Sequence, residues 1–178
     1  MWYVHAKSND SSIEISRKIK KIIRESSFFI RLFKKYGIPI EKIEEVAFKI
    51  MDLRGKHAQS NSEEIDLNTK LFENGDFFKK NLHFVVHEIV HWLIRQREKD
   101  HYFSDIEEHD AFSTSMAYQL SNGADKKCVY NTFFPMIEDH FKDKENAVRL
   151  FNQLYQNAIK DLQTTEKGEV NEKGSQCK

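Results

Sequence analysis

The sequence predicts an α+β domain, mostly helical, with one small antiparallel sheet packed on a buried helix and on the helix that follows it. Three observations carry this expectation: three segments repeat their apolar residues every three or four positions, two short central segments read as strands, and residues 77 to about 97 are apolar on nearly every side. With 178 residues the chain is long enough to bury a core without disulfide or metal staples. Residues 1–162 read as a single domain, and 163–178 as a disordered tail whose only apolar members are Val170 and Cys177.

In chain order, Ile15, Ile19, Ile22, Phe29, Phe33 and Tyr36 lie on one face of a helix running from Ser12 to about Tyr36. Gly37 and Pro39 end it, because neither a flexible backbone nor a missing N–H supports continuation. Residues 1–36 hold nine Lys or Arg against three Asp or Glu, a charge expected to form a solvated helix face. Val46, Phe48 and Ile50 alternate with their neighbours and predict a strand near Glu45 to Asp52. The polar stretch Arg54 to Ser62 reads as a turn leading to a second strand, Glu64 to Asn68. The dense apolar content from Phe77 to Arg97 then suits a helix buried in mid-domain.

A charged connection, Glu98 to Tyr102, leads to a helix over Asp105 to Ser121 with Ala111, Phe112, Ala117 and Leu120 inward, stopped by Asn122-Gly123. An aromatic segment around Phe133-Phe134-Pro135 follows. The last amphipathic helix carries Ala147, Phe151, Leu154, Ala158 and Leu162.

The 28 basic side chains are balanced by 28 acidic ones, which argues against nucleic acid as a partner, since that needs a basic surface to displace counterions from phosphates. No stretch approaches the ~18 consecutive apolar residues of a membrane span, and the first residues lack the apolar core of a signal peptide. Cys128 and Cys177 show no CxxC spacing. The expectation is a cytoplasmic protein without a membrane partner, its oligomeric state open.

Within the buried helix stands His87-Glu88-Ile89-Val90-His91. Residues four apart on a helix project from the same face, so both imidazoles can coordinate one zinc ion, and Glu88 is placed to take a proton from a water on that ion. Burying two histidines and a glutamate unpartnered in so apolar a helix would cost several kcal/mol, roughly, which favours a metal site over an accidental pattern. His83, one turn earlier, reads as packing or a substrate contact, and Trp92 as core. A catalytic zinc normally takes a third protein ligand. The acidic cluster Asp105-Ile106-Glu107-Glu108-His109-Asp110 can supply it, from Glu107, Glu108 or Asp110 according to how the helix is rotated.

On these residues the sequence resembles the HExxH zinc metallopeptidases, and among them the gluzincins, whose third ligand is a glutamate on a second helix. Ala111, three after Glu108, matches the small residue that lets the two helices pack closely. The run Glu-His-Asp-Ala is similar to the Glu-x-Glu-Ala of the ImmA/IrrE-like peptidases. Phe112 departs from the pattern, standing where relatives have an Asp or Asn that supports a metal-bound histidine. Leu93 and Arg97 occupy the positions where metzincins place Gly and His, so that branch is rejected.

The resemblance covers about Glu63 to Leu120. It implies a zincin-like fold and a zinc metalloendopeptidase acting on a peptide or protein, with His87, His91 and Glu108 holding Zn2+ and Glu88 as general base toward a zinc-activated water. It also implies that Glu64 to Asn68 is an edge strand pairing with extended substrate, and that His101, Tyr102 or His109 donates to the oxyanion. The alternative is a zinc-binding regulatory or interaction protein that keeps such a fold with little turnover.

Overall fold

The computed structural model describes residues 9–61, 63–72, 80–97, 105–140 and 144–174. Helices α1 (Asn9–Glu25) and α2 (Ser27–Tyr36) are followed by a 3-10 turn (Ile40–Glu45), strands β1 (Ala47–Met51), β2 (Ala58–Ser60) and β3 (Glu64–Asn68), and a second 3-10 turn (Thr69–Phe72). Helices α3 (Leu82–Arg97), α4 (Asp105–Ser121), α5 (Lys126–His140) and α6 (Lys144–Gly174) complete the order. The backbone, expected to form one domain, groups into two compact units, residues 1–107 and 108–178.

In the first unit the expected single N-terminal helix is two helices. Ser26 takes an extended conformation between them (φ −85°, ψ 122°), as serine does readily because it competes with helical hydrogen bonding. The break lets Ile15, Ile19 and Ile23 of α1 and Phe29, Leu32 and Phe33 of α2 all bury, with Ile23 taking the inward place expected of Ile22. Gly37 closes α2 in the left-handed region (φ 70°), its N–H donating to Lys34 and that of Ile38 to Phe33.

The sheet is mixed, not antiparallel: its order is β1-β3-β2, with β3 parallel to β1 and antiparallel to β2. The chain reverses at Asp52–His57, where Arg54 and Gly55 have positive φ, and again at Asn61, whose side-chain oxygen accepts the N–H groups of Glu63 and Glu64. After two reversals β3 runs in the direction of β1, and it lies in the centre. The expected edge strand Glu64 to Asn68 is therefore the middle strand. The outer strand beside α3 is β2, in the stretch read as a polar turn.

Phe48 and Ile50 of β1 sit beside Ile65 and Leu67 of β3 and supply the apolar face of the sheet. On the other face Gln59 donates to Asp66 at 3.0 Å and Lys49 pairs with Glu64. α1 lies against β1, and α3 against β2, β3 and α2, with the Trp92 ring 6.1 Å from that of Phe33. Trp92 is core, as its neighbours in the sequence suggested.

The second unit is helical. α4 spans the bounds expected for it, and Gly123 (φ 85°) terminates it. The aromatic segment at Phe133-Phe134-Pro135 lies inside α5, where Pro135 is exposed while Phe133, Phe134 and Ile137 are buried. Asp125 caps α5 by accepting the Cys128 N–H at 2.7 Å, and this hydrogen bond holds its carboxyl below the usual range. Tyr130 stacks on Phe134 and meets Phe151 edge-on, joining α5 to α6. Ala147, Phe151, Leu154 and Ala158 line the buried face of α6, whose helical backbone continues beyond Leu162 to Gly174, through the first part of the segment expected to be a disordered tail. No described helix is long and apolar enough to cross a membrane.

Candidate metal centre

α3 contains neither Gly nor Pro from Leu82 to Arg97, and Val85, Val86, Ile89, Val90 and Leu93 are fully buried. Tertiary burial on most of its circumference makes this helix a fixed platform. From it project His87, half-buried, Glu88, 8% exposed, and His91, 2% exposed.

The two imidazoles converge. Their Nε2 atoms are 3.2 Å apart with ring centroids at 4.9 Å. Two nitrogens bound to one tetrahedral zinc at ordinary Zn–N lengths are separated by about 3.3 Å, so the pair already has the spacing that a shared ion requires. Glu108, in the first turns of α4, adds a carboxylate: His87, His91 and Glu108 each offer one ligand atom, and the three atoms lie within 4.8 Å of one another. Two imidazoles and a carboxylate suit zinc, and three protein donors leave a coordination position open. Among the described residues these three form a group that could hold a metal ion, and neither Glu107 nor Asp110 belongs to it.

Glu107, one residue earlier on α4, stands elsewhere. It is 5% exposed, and its Oε2 lies 4.0 Å from Nδ1 of His91, the ring nitrogen on the side away from His87. At that distance, too long for a hydrogen bond, the carboxylate acts on the ring through its charge, favouring the tautomer with the proton on Nδ1 and leaving Nε2 as a metal donor. Glu107→Gln is expected to retain one metal per chain while weakening zinc affinity roughly 10- to 100-fold, read by competition with a fluorescent zinc chelator.

Glu88 is held from the sheet. Ser60 Oγ on β2 donates to its Oε2 at 2.7 Å, and Arg95 Nη1 reaches the same serine, at 2.7 Å from its carbonyl oxygen and 3.2 Å from its hydroxyl. Neither Ser60 nor Arg95 stands out in the sequence. Arg95 carries one usable signal, seven residues after Glu88 and so on the same face of the helix. Ser60 carries none, being separated from Glu88 by 28 residues within a polar stretch.

Neither a family model, nor a curated protein, nor a solved structure matches the chain. The metal group therefore rests on its own geometry.

Of the remaining residues singled out in the sequence, His101 and Tyr102 lie outside the described residues, and His109 is half-buried on α4 outside the metal group. His83 is 4% exposed, its ring centroid 4.2 Å from that of Phe84, which also stacks on His57 at 4.4 Å. Burial pushes the His83 imidazole down to about 4, against the opposing pull of a hydrogen bond to the Lys80 main chain. Because the unfolded chain takes up the proton first, stability present above the unfolded value near 6.5 is lost as pH falls toward 4. That loss amounts to on the order of 3 kcal/mol from this group. Urea unfolding of the metal-free protein at pH 7 and pH 4.5 is expected to show a smaller pH difference in His83→Leu than in wild type.

Proposed function

We propose that the protein is a zinc-dependent metalloendopeptidase of the gluzincin kind, a hydrolase whose substrate is a peptide or protein. The observation that carries this reading is the approach of His87 and His91 Nε2 to 3.2 Å with the Glu108 carboxylate beside them, on the same helix as Glu88, whose Oε2 accepts a hydrogen bond from Ser60. His87, His91 and Glu108 would hold a zinc ion, which when bound would supply Lewis-acid chemistry at the site. Glu88 would act as the general base, taking a proton from the attacking water and returning it to the leaving amine. Glu107, its carboxylate on the Nδ1 side of His91, would favour the tautomer in which Nε2 is the donor.

The substrate side is supplied by β2. In its pairing with β3, His57 and Asn61 occupy hydrogen-bonded positions, so the alternate residues Ala58 and Ser60 turn their main-chain groups away from β3. Ala58 thus offers an N–H and a C=O to an added strand, the recognition mode of extended peptides. The exposed free thiol of Cys128 suits a reducing compartment, consistent with a cytoplasmic site of action.

The test begins with metal content by plasma mass spectrometry on protein purified without a metal-chelating resin, followed by release of fluorescence from fluorescein-labelled casein. One zinc per chain and chelator-sensitive release are expected. No zinc in wild type, even after reconstitution, overturns the reading.

A further inference from the structure

A chain of hydrogen bonds runs from α3 through the outer strand and back to α3. Arg95 Nη1 donates to Ser60 at both its carbonyl oxygen and its Oγ, and Ser60 Oγ lies 2.7 Å from Glu88 Oε2. The donor inventory sets its direction. A guanidinium only donates and an ionised carboxylate only accepts, so the hydroxyl between them accepts from Arg95 and sends its single proton to Glu88. The main chain reinforces this arrangement: the Ser60 carbonyl points out of the sheet edge, where Arg95 takes it at 2.7 Å. The guanidinium thereby fixes the strand end as well as the hydroxyl.

We propose that Ser60 is a positioning residue for Glu88, and that Arg95 is the clamp that holds Ser60 in place. The inference rests on the metallopeptidase reading and deepens it. A carboxylate serving as general base has to present one oxygen to the water with its plane fixed, and misplacement by a fraction of an ångström is costly. Tying Oε2 to a serine on the sheet opposes rotation of the carboxylate about its last side-chain bond and so fixes its plane. Because Ser60 belongs to the strand that offers Ala58 to an extended peptide, the same three-residue strand sets the base and seats the substrate. A shift of β2 on binding is felt at Glu88 directly.

The experiment uses the zinc-loaded full chain and acetohydroxamate, a small zinc-directed ligand that also hydrogen-bonds to the general base. Its affinity is measured by calorimetry for wild type, Ser60→Ala, Ser60→Thr, Arg95→Gln and Glu88→Gln, with zinc content and melting temperature recorded for each. Ser60→Ala is expected to bind acetohydroxamate roughly tenfold more weakly with unchanged zinc content. Ser60→Thr restores the affinity, because it returns the hydroxyl on a strand-favouring side chain. Arg95→Gln falls between, because the hydroxyl is then free to rotate. With labelled casein the same series is expected to lower kcat with KM unchanged.

Wild-type affinity in both Ser60→Ala and Arg95→Gln, alongside weakened binding in Glu88→Gln, overturns this inference and leaves the metallopeptidase reading intact. A failure of Ser60→Thr to restore what Ser60→Ala loses assigns Ser60 to packing and overturns it too. Wild-type protein without zinc overturns the metallopeptidase reading, and this inference with it.

Discussion

Glu88→Gln is expected to lower the rate of casein hydrolysis by about 10²- to 10⁴-fold, the usual contribution of a positioned general base, with zinc content and melting temperature close to wild type. The substitution separates chemistry from structure because the amide oxygen of glutamine can still accept the Ser60 hydroxyl, which now sits 2.7 Å from Oε2. The site loses only the ability to take up a proton. At 8% exposure Glu88 is a costly residue to bury as a charge, and a neutral side chain of the same shape relieves that cost. A small rise in melting temperature therefore fits the same expectation. Full activity in Glu88→Gln would end the assignment of the base. Zinc bound at one per chain in wild type, with no cleavage and no effect of Glu88→Gln, would favour a zinc-binding regulatory protein.

Removing a ligand is the second large effect. Glu108→Ala and His91→Ala are expected to drop zinc from one per chain to a small fraction after dialysis, because two donors bind zinc far more weakly than three. Since bound metal stabilises the folded state by mass action, a protein with free zinc a thousandfold above Kd gains about 4 kcal/mol. The wild type should therefore melt at a markedly lower temperature when a chelator is added, and the two variants should show little response. Glu107 provides the internal control. Its carboxylate is on the Nδ1 side of His91 at 4.0 Å, so Glu107→Gln changes affinity without abolishing stoichiometry. Full zinc in Glu108→Ala, with loss in Asp110→Ala, would move the third ligand along α4.

The parts of the site legible in the sequence are those that local geometry dictates. His87, Glu88 and His91 could be placed because helical periodicity alone brings residues four apart onto one face, and the dense apolar content around them required a helix there. The stop at Asn122-Gly123 was equally local, a glycine entering the left-handed region that ends a helix. For the acidic cluster the sequence offered three carboxylates in four positions, and a rotation of one helical step distinguishes them. Only the packing of α4 put Glu107 behind the His91 ring and grouped Glu108 with the two histidines.

The sheet was read less completely. Glu64 to Asn68 was legible as a strand from its alternation, and β1 from that of Phe48 and Ile50. Three-residue β2, with Ala, Gln and Ser, has no pattern of its own, because a short outer strand is defined by the partner that pairs with it. Without β2 the pattern implies an antiparallel pair with β3 at the edge, whereas β2 makes β3 central and the sheet mixed.

The sequence by itself thus determined the helix periods, their glycine stops and the spacing of the two imidazoles, all set by contacts within about one turn of backbone. The strand order, the face of α4 and the Arg95–Ser60–Glu88 chain were decided by the tertiary structure. Their partners are as much as 35 residues apart, and which distant groups meet is fixed by how apolar faces pack against one another, which no local pattern encodes.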